Sequence, residues 1–290
     1  MHRMAGLGAI LTAMVTPFDA QLRVDEDAAV RLMEHLVAHG SDGLVVCGTT
    51  GEAATLTDEE HLRVIELAVQ QMGERATIVA GVGSNDTRHA VELTERATAL
   101  GADALLHVTP YYNRPNRRGI VAHFEACAAA TDKPIVLYNI PSRTGTDMPN
   151  DLLAELAQRI ENVVAVKQSN QASLGPIDGL ELYAGDNETF CDVLELGGAG
   201  GILVASHIVG DEMRRMVDEP QRRREIDAGL RDVYEALAVT TNPIGVKAAL
   251  NLLGHRVGGL RLPMVEADER ELAVIHAALE RHGLLATAQA

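Results

Sequence analysis

Short runs of β-branched and apolar residues alternate along this chain with longer stretches whose apolar positions recur at helical spacing. That alternation is what a parallel sheet with helical crossovers requires. Eight such runs predict strands: Ala9 to Val15, Gly43 to Cys47, Thr77 to Ala80, Ala104 to Val108, Pro134 to Asn139, Val163 to Val166, Glu181 to Tyr183 and Gly201 to Val204. Caps mark the helices between them. Asp25 opens a helix over Asp25 to His39, Thr57 with Glu60 makes a capping box before Glu59 to Met72, and Asn85 or Asp86 leads into Thr87 to Leu100. Gly40, Gly73 and Gly101 follow these helices, where a left-handed residue ends a helix. Eight β-then-α units that close on themselves give an α/β fold, the (β/α)8 TIM barrel, for which about 250 residues is typical.

The chain has 290 residues, and its surplus lies at the end. From about Asp211 to Leu285 only helical signals occur, with Asn242 and Pro243 starting one helix, Gly254 ending it and Asp268 near the start of another. The expected division is a barrel with the catalytic site over 1–218 and an all-helical C-terminal extension over 219–290. No low-complexity linker separates them, so the extension should pack on the barrel.

Composition narrows the function. Hydrophobic residues make up 47% and charged ones 23%, ordinary globular values. A formal net charge of −16 argues against binding nucleic acid or an anionic membrane surface, so any anionic substrate must meet local positive groups. The three cysteines, Cys47, Cys127 and Cys191, form no CxxC pair, and a reducing cytoplasm is the simplest setting. Arg3 and the apolar run Met4 to Val15 have the outline of a secretory leader but lack a small-x-small cleavage site, which favours a first strand. No run of about 18 uncharged apolar residues is present to span a bilayer.

A barrel carries its chemistry at the C-terminal ends of its strands. Strand two ends in Gly48-Thr49-Thr50-Gly51-Glu52, strand four in Thr109-Pro110-Tyr111-Tyr112, strand five in Tyr138-Asn139-Ile140-Pro141-Ser142-Arg143, strand six in Lys167-Gln168-Ser169 and strand seven in Gly185-Asp186-Asn187. Lys167 is the most informative, because the chain has three lysines against 22 arginines and this one follows an apolar strand. Lysine is preferred over arginine where an amine must lose its proton. At a reference pKa of about 10.4 roughly one amine in 2,500 is neutral at pH 7, and lowering it to about 7 makes half of them neutral. A surface lysine or an ion-pair partner is the competing reading. Tyr111, Tyr112 and Tyr138 are three of only five tyrosines and all fall at strand ends, where phenols can pass protons or bind an anion. The Gly-Thr-Thr-Gly turn can hold a carboxylate through hydroxyls and N–H groups, and Arg143 can fork onto a second one.

Other patterns carry less. Lys133 precedes a strand on the stability face and Lys247 sits in the extension. His35 and His39 have metal-pair spacing but lie on an outer helix with no Glu after the first His. Gly197 to Gly201 resembles a phosphate cradle at the wrong end of a strand, and Gly81-Val82-Gly83 lacks the last glycine of a dinucleotide fingerprint. No metal, nucleotide or flavin is expected.

The motifs Gly48-Thr49-Thr50-Gly51-Glu52, Thr109-Pro110-Tyr111-Tyr112-Asn113-Arg114-Pro115, Tyr138-Asn139-Ile140-Pro141-Ser142-Arg143-Thr144-Gly145 and Lys167, in that order, make the chain resemble the dihydrodipicolinate synthase family over nearly its whole length. That family lies within the lysine Schiff-base pyruvate aldolases, which include N-acetylneuraminate lyase. The resemblance implies that Lys167 forms an imine with pyruvate, Tyr138 gives and takes the proton, and Thr49 relays it to Tyr112 of a neighbouring subunit. It implies that Thr49 and Thr50 hold the pyruvate carboxylate, that Gly185 and Ile202 line the pocket, and that Arg143 grips L-aspartate 4-semialdehyde. The route would be diaminopimelate and lysine biosynthesis, with no cofactor, and the assembly a homo-oligomer, usually a tetramer built as a dimer of dimers.

Departures from the family pattern are Gln168-Ser169-Asn170 after the lysine and Ala53 where serine is common. At the lysine feedback site, His61, Asn85 and Tyr111 match, but His89 stands for a glutamate and Asp58 for a histidine, so lysine should inhibit weakly or not at all. Two other functions compete: a pyruvate aldolase or lyase acting on a sugar acid, and an idle paralogue that binds pyruvate or an amino acid without turnover. Arg143 within Ser-Arg-Thr-Gly favours the semialdehyde over a sugar.

Overall fold

The computed structural model describes residues 6–285, so Arg3 and Met4, weighed above as the start of a leader, lie outside the described residues. Eight parallel strands close into a barrel in sequence order: β1 (Ile10–Ala13), β2 (Gly43–Val46), β3 (Thr77–Gly81), β4 (Ala104–Val108), β5 (Ile135–Asn139), β6 (Val163–Gln168), β7 (Glu181–Ala184) and β8 (Gly200–Leu203), with β8 pairing back onto β1. The helices are α1 (Glu26–Ala38), α2 (Asp58–Met72), α3 (Thr87–Ala99), α4 (Arg117–Ala129), α5 (Pro141–Thr144), α6 (Asn150–Arg159), α7 (Phe190–Glu195), α8 (Gly210–Asp218), α9 (Arg223–Leu237), α10 (Ile244–Leu252) and α11 (Glu269–Arg281).

The caps act as the sequence predicts. Asp25 accepts from the Ala28 N–H, Thr57 and Glu60 complete their capping box, and Asp86, rather than Asn85, caps α3. Asp268 begins α11 with a second capping box. Gly40 and Gly101 both turn at φ +93, but Gly73 does not. Its φ is −58, so α2 ends by running one residue further in right-handed conformation and uses no left-handed cap there.

Alternation along each strand separates two apolar layers. Leu11, Val45, Val79, Leu106 and Val136 point into the barrel, while Ile10, Leu44, Ile78, Leu105 and Leu137 pack outward against the helices. Strand β6 breaks this rhythm. Ile135 of β5 pairs with Val163, but Val136 pairs with Ala165, so the register slips by one residue at Val164. Counting by twos from Val163 would turn Lys167 outward; the slip pairs Lys167 with inward-facing Tyr138. The strand also continues past Val166, where the apolar pattern stops, because Lys167 and Gln168 still pair with Tyr183 and Ala184.

Beyond α8, helix α9 packs on α10 and α11 and touches the turns that follow β7 and β8, Asn187–Thr189 and Ala205–His207. Those turns lie at the C-terminal ends of the strands, so the extension reaches the face where barrel chemistry is found.

Candidate active site

Lys167 occupies the C-terminal end of β6, in register between Tyr138 of β5 and Tyr183 of β7. It is 5% exposed, with its ammonium 4.2 Å from the centre of the Tyr138 ring. Burial pulls its pKa from 10.5 down to about 8; the Asp186 carboxylate opposes the shift and the Arg143 guanidinium adds to it. A cavity of about 290 Å³ opens above the amine, walled by Thr49, Thr50, Tyr138, Arg143, Gly185, Asp186 and Asn242 among others.

The β2 end supplies a turn bracketed by two left-handed residues that are not glycine, Cys47 at φ 56 and Glu52 at φ 54. Within it Thr49 is exposed and Thr50 is buried, its Oγ1 accepting a 3.0 Å hydrogen bond from Asn242 Nδ2. Arg143 lies exposed on the short α5, and its Nη2 donates to the Asn242 carbonyl at 3.3 Å. Asn242 thus ties the expected anchors of two different carboxylates to one loop of the extension.

Tyr138 is buried, and desolvation pushes its phenol far above the ordinary range, aided by the Asp186 charge and opposed by the Ser169 hydroxyl. Ser169 Oγ donates to Asp186 Oδ1 at 3.2 Å. Burial also raises Asp186, against the pull of Lys167. Gly185 sits in a crowded place: a Cβ there would stand 2.1 Å from Ser169 Oγ, a side-chain end that can turn away, and 3.0 Å from the backbone carbonyl oxygen of Gln168.

Lys167, Tyr138, Thr49, Thr50, Arg143 and Gly185 therefore meet at one cavity. Of the other expected site residues, Ile202 does not, and Tyr112 is the one expected at a neighbour's site. Ile202 is fully buried in the barrel's inner layer and does not belong to the cavity wall, because its place on β8 points into the packed interior beneath. Tyr112, with φ 70 and 88% exposure, stands outside its own chain's cavity, and its N–H donates to the Thr144 carbonyl at 3.3 Å. Asp186 and Asn242 are the residues that sequence reasoning missed. The first stood in the Gly185-Asp186-Asn187 strand end, a visible signal; the second reaches the barrel mouth from the extension, and no local pattern announces that.

The unusual residues after Lys167 do structural work. Gln168 is buried, and its Oε1 accepts from Asn139 Nδ2 and from the Asn170 N–H, both at 3.0 Å. On the far side of Thr49 and Tyr138 a second cavity, of about 310 Å³, is walled by Ala53, Ala54, Gly83, Tyr111 and Met264 among others. His61 Nε2 meets the carbonyl of Gly81, a residue of that cavity's wall, at 2.7 Å, and His89 Nε2 and Asp58 Oδ1 lie 3.0 Å apart.

Lys247 is buried against Glu52. His35 stacks 4.4 Å from His39 and 4.3 Å from His255, and burial takes its pKa down to about 4. The Cys47, Cys127 and Cys191 thiols are free and buried. Among the described residues, His107, His123 and Cys127 bring ligating atoms within 4.8 Å of one another. They lie on β4 and α4, in the layer outside the barrel and apart from the Lys167 cavity. His123 is already held by Thr87 at 2.9 Å, and His107 by Thr94 at 3.3 Å. Among the described residues no helix is long and apolar enough to cross a membrane.

Comparison with known proteins supplies independent findings. The model of the dihydrodipicolinate synthetase family matches residues 6–282. The 4-hydroxy-tetrahydrodipicolinate synthase of Moorella thermoacetica is 45% identical over 291 residues, spanning 96% of this chain and 99% of the relative. Among solved structures, the Cyanidioschyzon merolae enzyme with lysine bound superposes at a TM-score of 0.92, with 38% identity over 98% of this chain and all of the other. The chloride-inhibited Acinetobacter baumannii dihydrodipicolinate synthase complexed with pyruvate also gives 0.92, at 35% identity, covering 96% of this chain and 100% of that one.

Proposed function

We propose that this chain, which belongs to the dihydrodipicolinate synthetase family, is a Schiff-base lyase. It condenses pyruvate with L-aspartate 4-semialdehyde to form 4-hydroxy-tetrahydrodipicolinate, in the diaminopimelate route to lysine. The observation that carries the reading is Lys167, an amine buried under Tyr138 with its pKa lowered to about 8. At pH 7 about a tenth of such amines are neutral, a gain of more than a hundredfold over a free lysine.

The neutral amine attacks the pyruvate ketone, and the Tyr138 phenol gives the proton with which water leaves, so that a protonated imine and a Tyr138 phenolate form. That cation is an electron sink, so a methyl proton leaves to Tyr138 and an enamine forms. Its carbon attacks the aldehyde, whose oxygen takes the proton back from Tyr138. The substrate amine then displaces Lys167 by transimination, which closes the ring and frees the enzyme. Thr49 and Thr50 hold the pyruvate carboxylate, and Gly185 leaves room beside it. Arg143, at the cavity mouth, pairs with the second carboxylate. Thr49 passes the Tyr138 proton to Tyr112 of a neighbouring subunit; the exposure of Tyr112 on its own chain supports that assignment. The acting form on this reading is a homotetramer, a dimer of dimers, in the cytoplasm, with the chain divided into a barrel over 1–218 and an extension over 219–290.

A coupled assay with both substrates and dihydrodipicolinate reductase, following NADPH oxidation, tests the reaction. Lys167→Ala is expected to abolish both turnover and borohydride trapping of pyruvate. Turnover that survives in Lys167→Ala would overturn the nucleophile, and trapping without turnover in the unsubstituted chain would overturn the semialdehyde.

A further inference from the structure

The most completely buried ion pair in the described structure lies outside the reaction described above. Lys247 on α10 is 1% exposed and Glu52, at the end of the Thr49–Thr50 turn, is 5% exposed. Nζ and Oε1 stand 2.6 Å apart. Oε1 makes no hydrogen bond of good geometry, so charge holds this contact. The other carboxylate oxygen, Oε2, accepts the Arg261 N–H at 3.1 Å, while Lys247 Nζ donates to the Gly259 carbonyl at 2.8 Å and sits 4.1 Å from the centre of the Phe18 ring. Glu52 is thus held from the side of the extension, while Lys247 sits between the extension and Phe18 of the barrel.

From Glu52 the constraint passes into the turn. Its backbone is left-handed at φ 54, a conformation disfavoured for a residue with a Cβ, and such strain persists only where the surroundings over-determine it. In that conformation the Glu52 N–H donates to the Thr49 carbonyl at 3.1 Å, and the Ala53 N–H donates to the Gly48 carbonyl at 3.3 Å. Apolar side chains of similar size would hold two elements together as well as a buried ion pair does. The ion pair adds something else: parting two buried charges is costly, which resists movement of the Glu52 side chain and, through it, of the turn.

We propose that Glu52 and Lys247 are positioning residues, which set the Thr49–Thr50 turn for the carboxylate of pyruvate and make the helical extension a working part of the site. The proposal rests on the pyruvate reading above.

The test uses the full chain in its native assembly. The double variant Glu52→Gln/Lys247→Met removes both charges and strands neither, so its thermal midpoint should stay near that of the unsubstituted chain. The pyruvate concentration needed for half-maximal borohydride trapping at Lys167 should rise by about tenfold to a hundredfold, the upper end being what a 1 Å misplacement can cost. Trapping at saturating pyruvate should fall far less. Glu52→Asp keeps the charges and shortens the reach, and should shift the half-trapping concentration in the same direction. An unshifted concentration in either folded variant overturns the proposal and leaves the pair a structural tie. Absence of trapping in the unsubstituted chain would instead bring down the pyruvate reading, and this one with it.

Discussion

At the scale of single residues, the acidity of Lys167 sets both a pH dependence and a stability cost. Its folded pKa, about 8, lies below the 10.5 of a free lysine. Below pH 8 the amine is protonated in both states, and the folded state bears the full penalty, about 3 kcal/mol at 1.36 kcal/mol per unit. As pH rises from about 8 towards 10.5 the folded state has lost a proton that the unfolded state still binds, and stability increases through that window. Only the neutral amine adds to a ketone. The trapping rate at low pyruvate should therefore climb about tenfold per unit below pH 8 and level off above it. Asp186 raises this pKa and Arg143 lowers it. Asp186→Asn should move the inflection to lower pH and Arg143→Ala to higher pH; movement of both in one direction would contradict the assignment. Lys167 was legible in the sequence because lysine is rare in this chain and this one ends a strand. Asp186 was equally near a strand end, but nothing in its type distinguishes an acid facing the lysine from one facing solvent.

At the scale of elements, the strand ends decide the site, and these are where periodicity gives out. The sequence placed all eight strands, yet stopped β6 at Val166 because polar side chains follow, although the backbone ladder runs on through Gln168. The slip at Val164 was invisible, since Val163-Val164-Ala165-Val166 is apolar on both faces and carries no phase. The close approach of β6 and β7 at Gly185 was likewise hidden, because a glycine that makes room and one that makes a turn look alike. It is testable. Gly185→Ala places a Cβ against Ser169 Oγ and the Gln168 carbonyl, while the same change at Gly175 meets nothing within 4 Å. Gly185→Ala should destabilise by about 1–3 kcal/mol, as overpacking does, and weaken trapping at the adjacent Lys167. Gly175→Ala should do neither, and equal thermal midpoints for the two variants would count against the packing argument.

At the scale of the whole molecule, the site draws on parts that chain order keeps apart. Asn242 comes back from the extension to bind Thr50 and Arg143, a return that depends on how α9 and α10 dock and has no local signature. Tyr112 leaves its own site instead. The resemblance assigns it to a neighbouring subunit, and φ 70 and 88% exposure turn it away from its own chain's cavity. If each site takes Tyr112 from a neighbour, two defective chains must complement each other. A Tyr112→Phe chain keeps Lys167, and a Lys167→Ala chain keeps Tyr112. A mixed pair of subunits then holds one complete site and one that lacks both groups. With equal amounts and random pairing, half the pairs are mixed, and about a quarter of the sites of an unsubstituted sample are restored. Dissociating the two variants together and reassembling them should raise the coupled rate well above the sum of the separate rates, towards that fraction. A mixture no more active than that sum would place Tyr112 outside its neighbour's site and confine the proton relay to one chain.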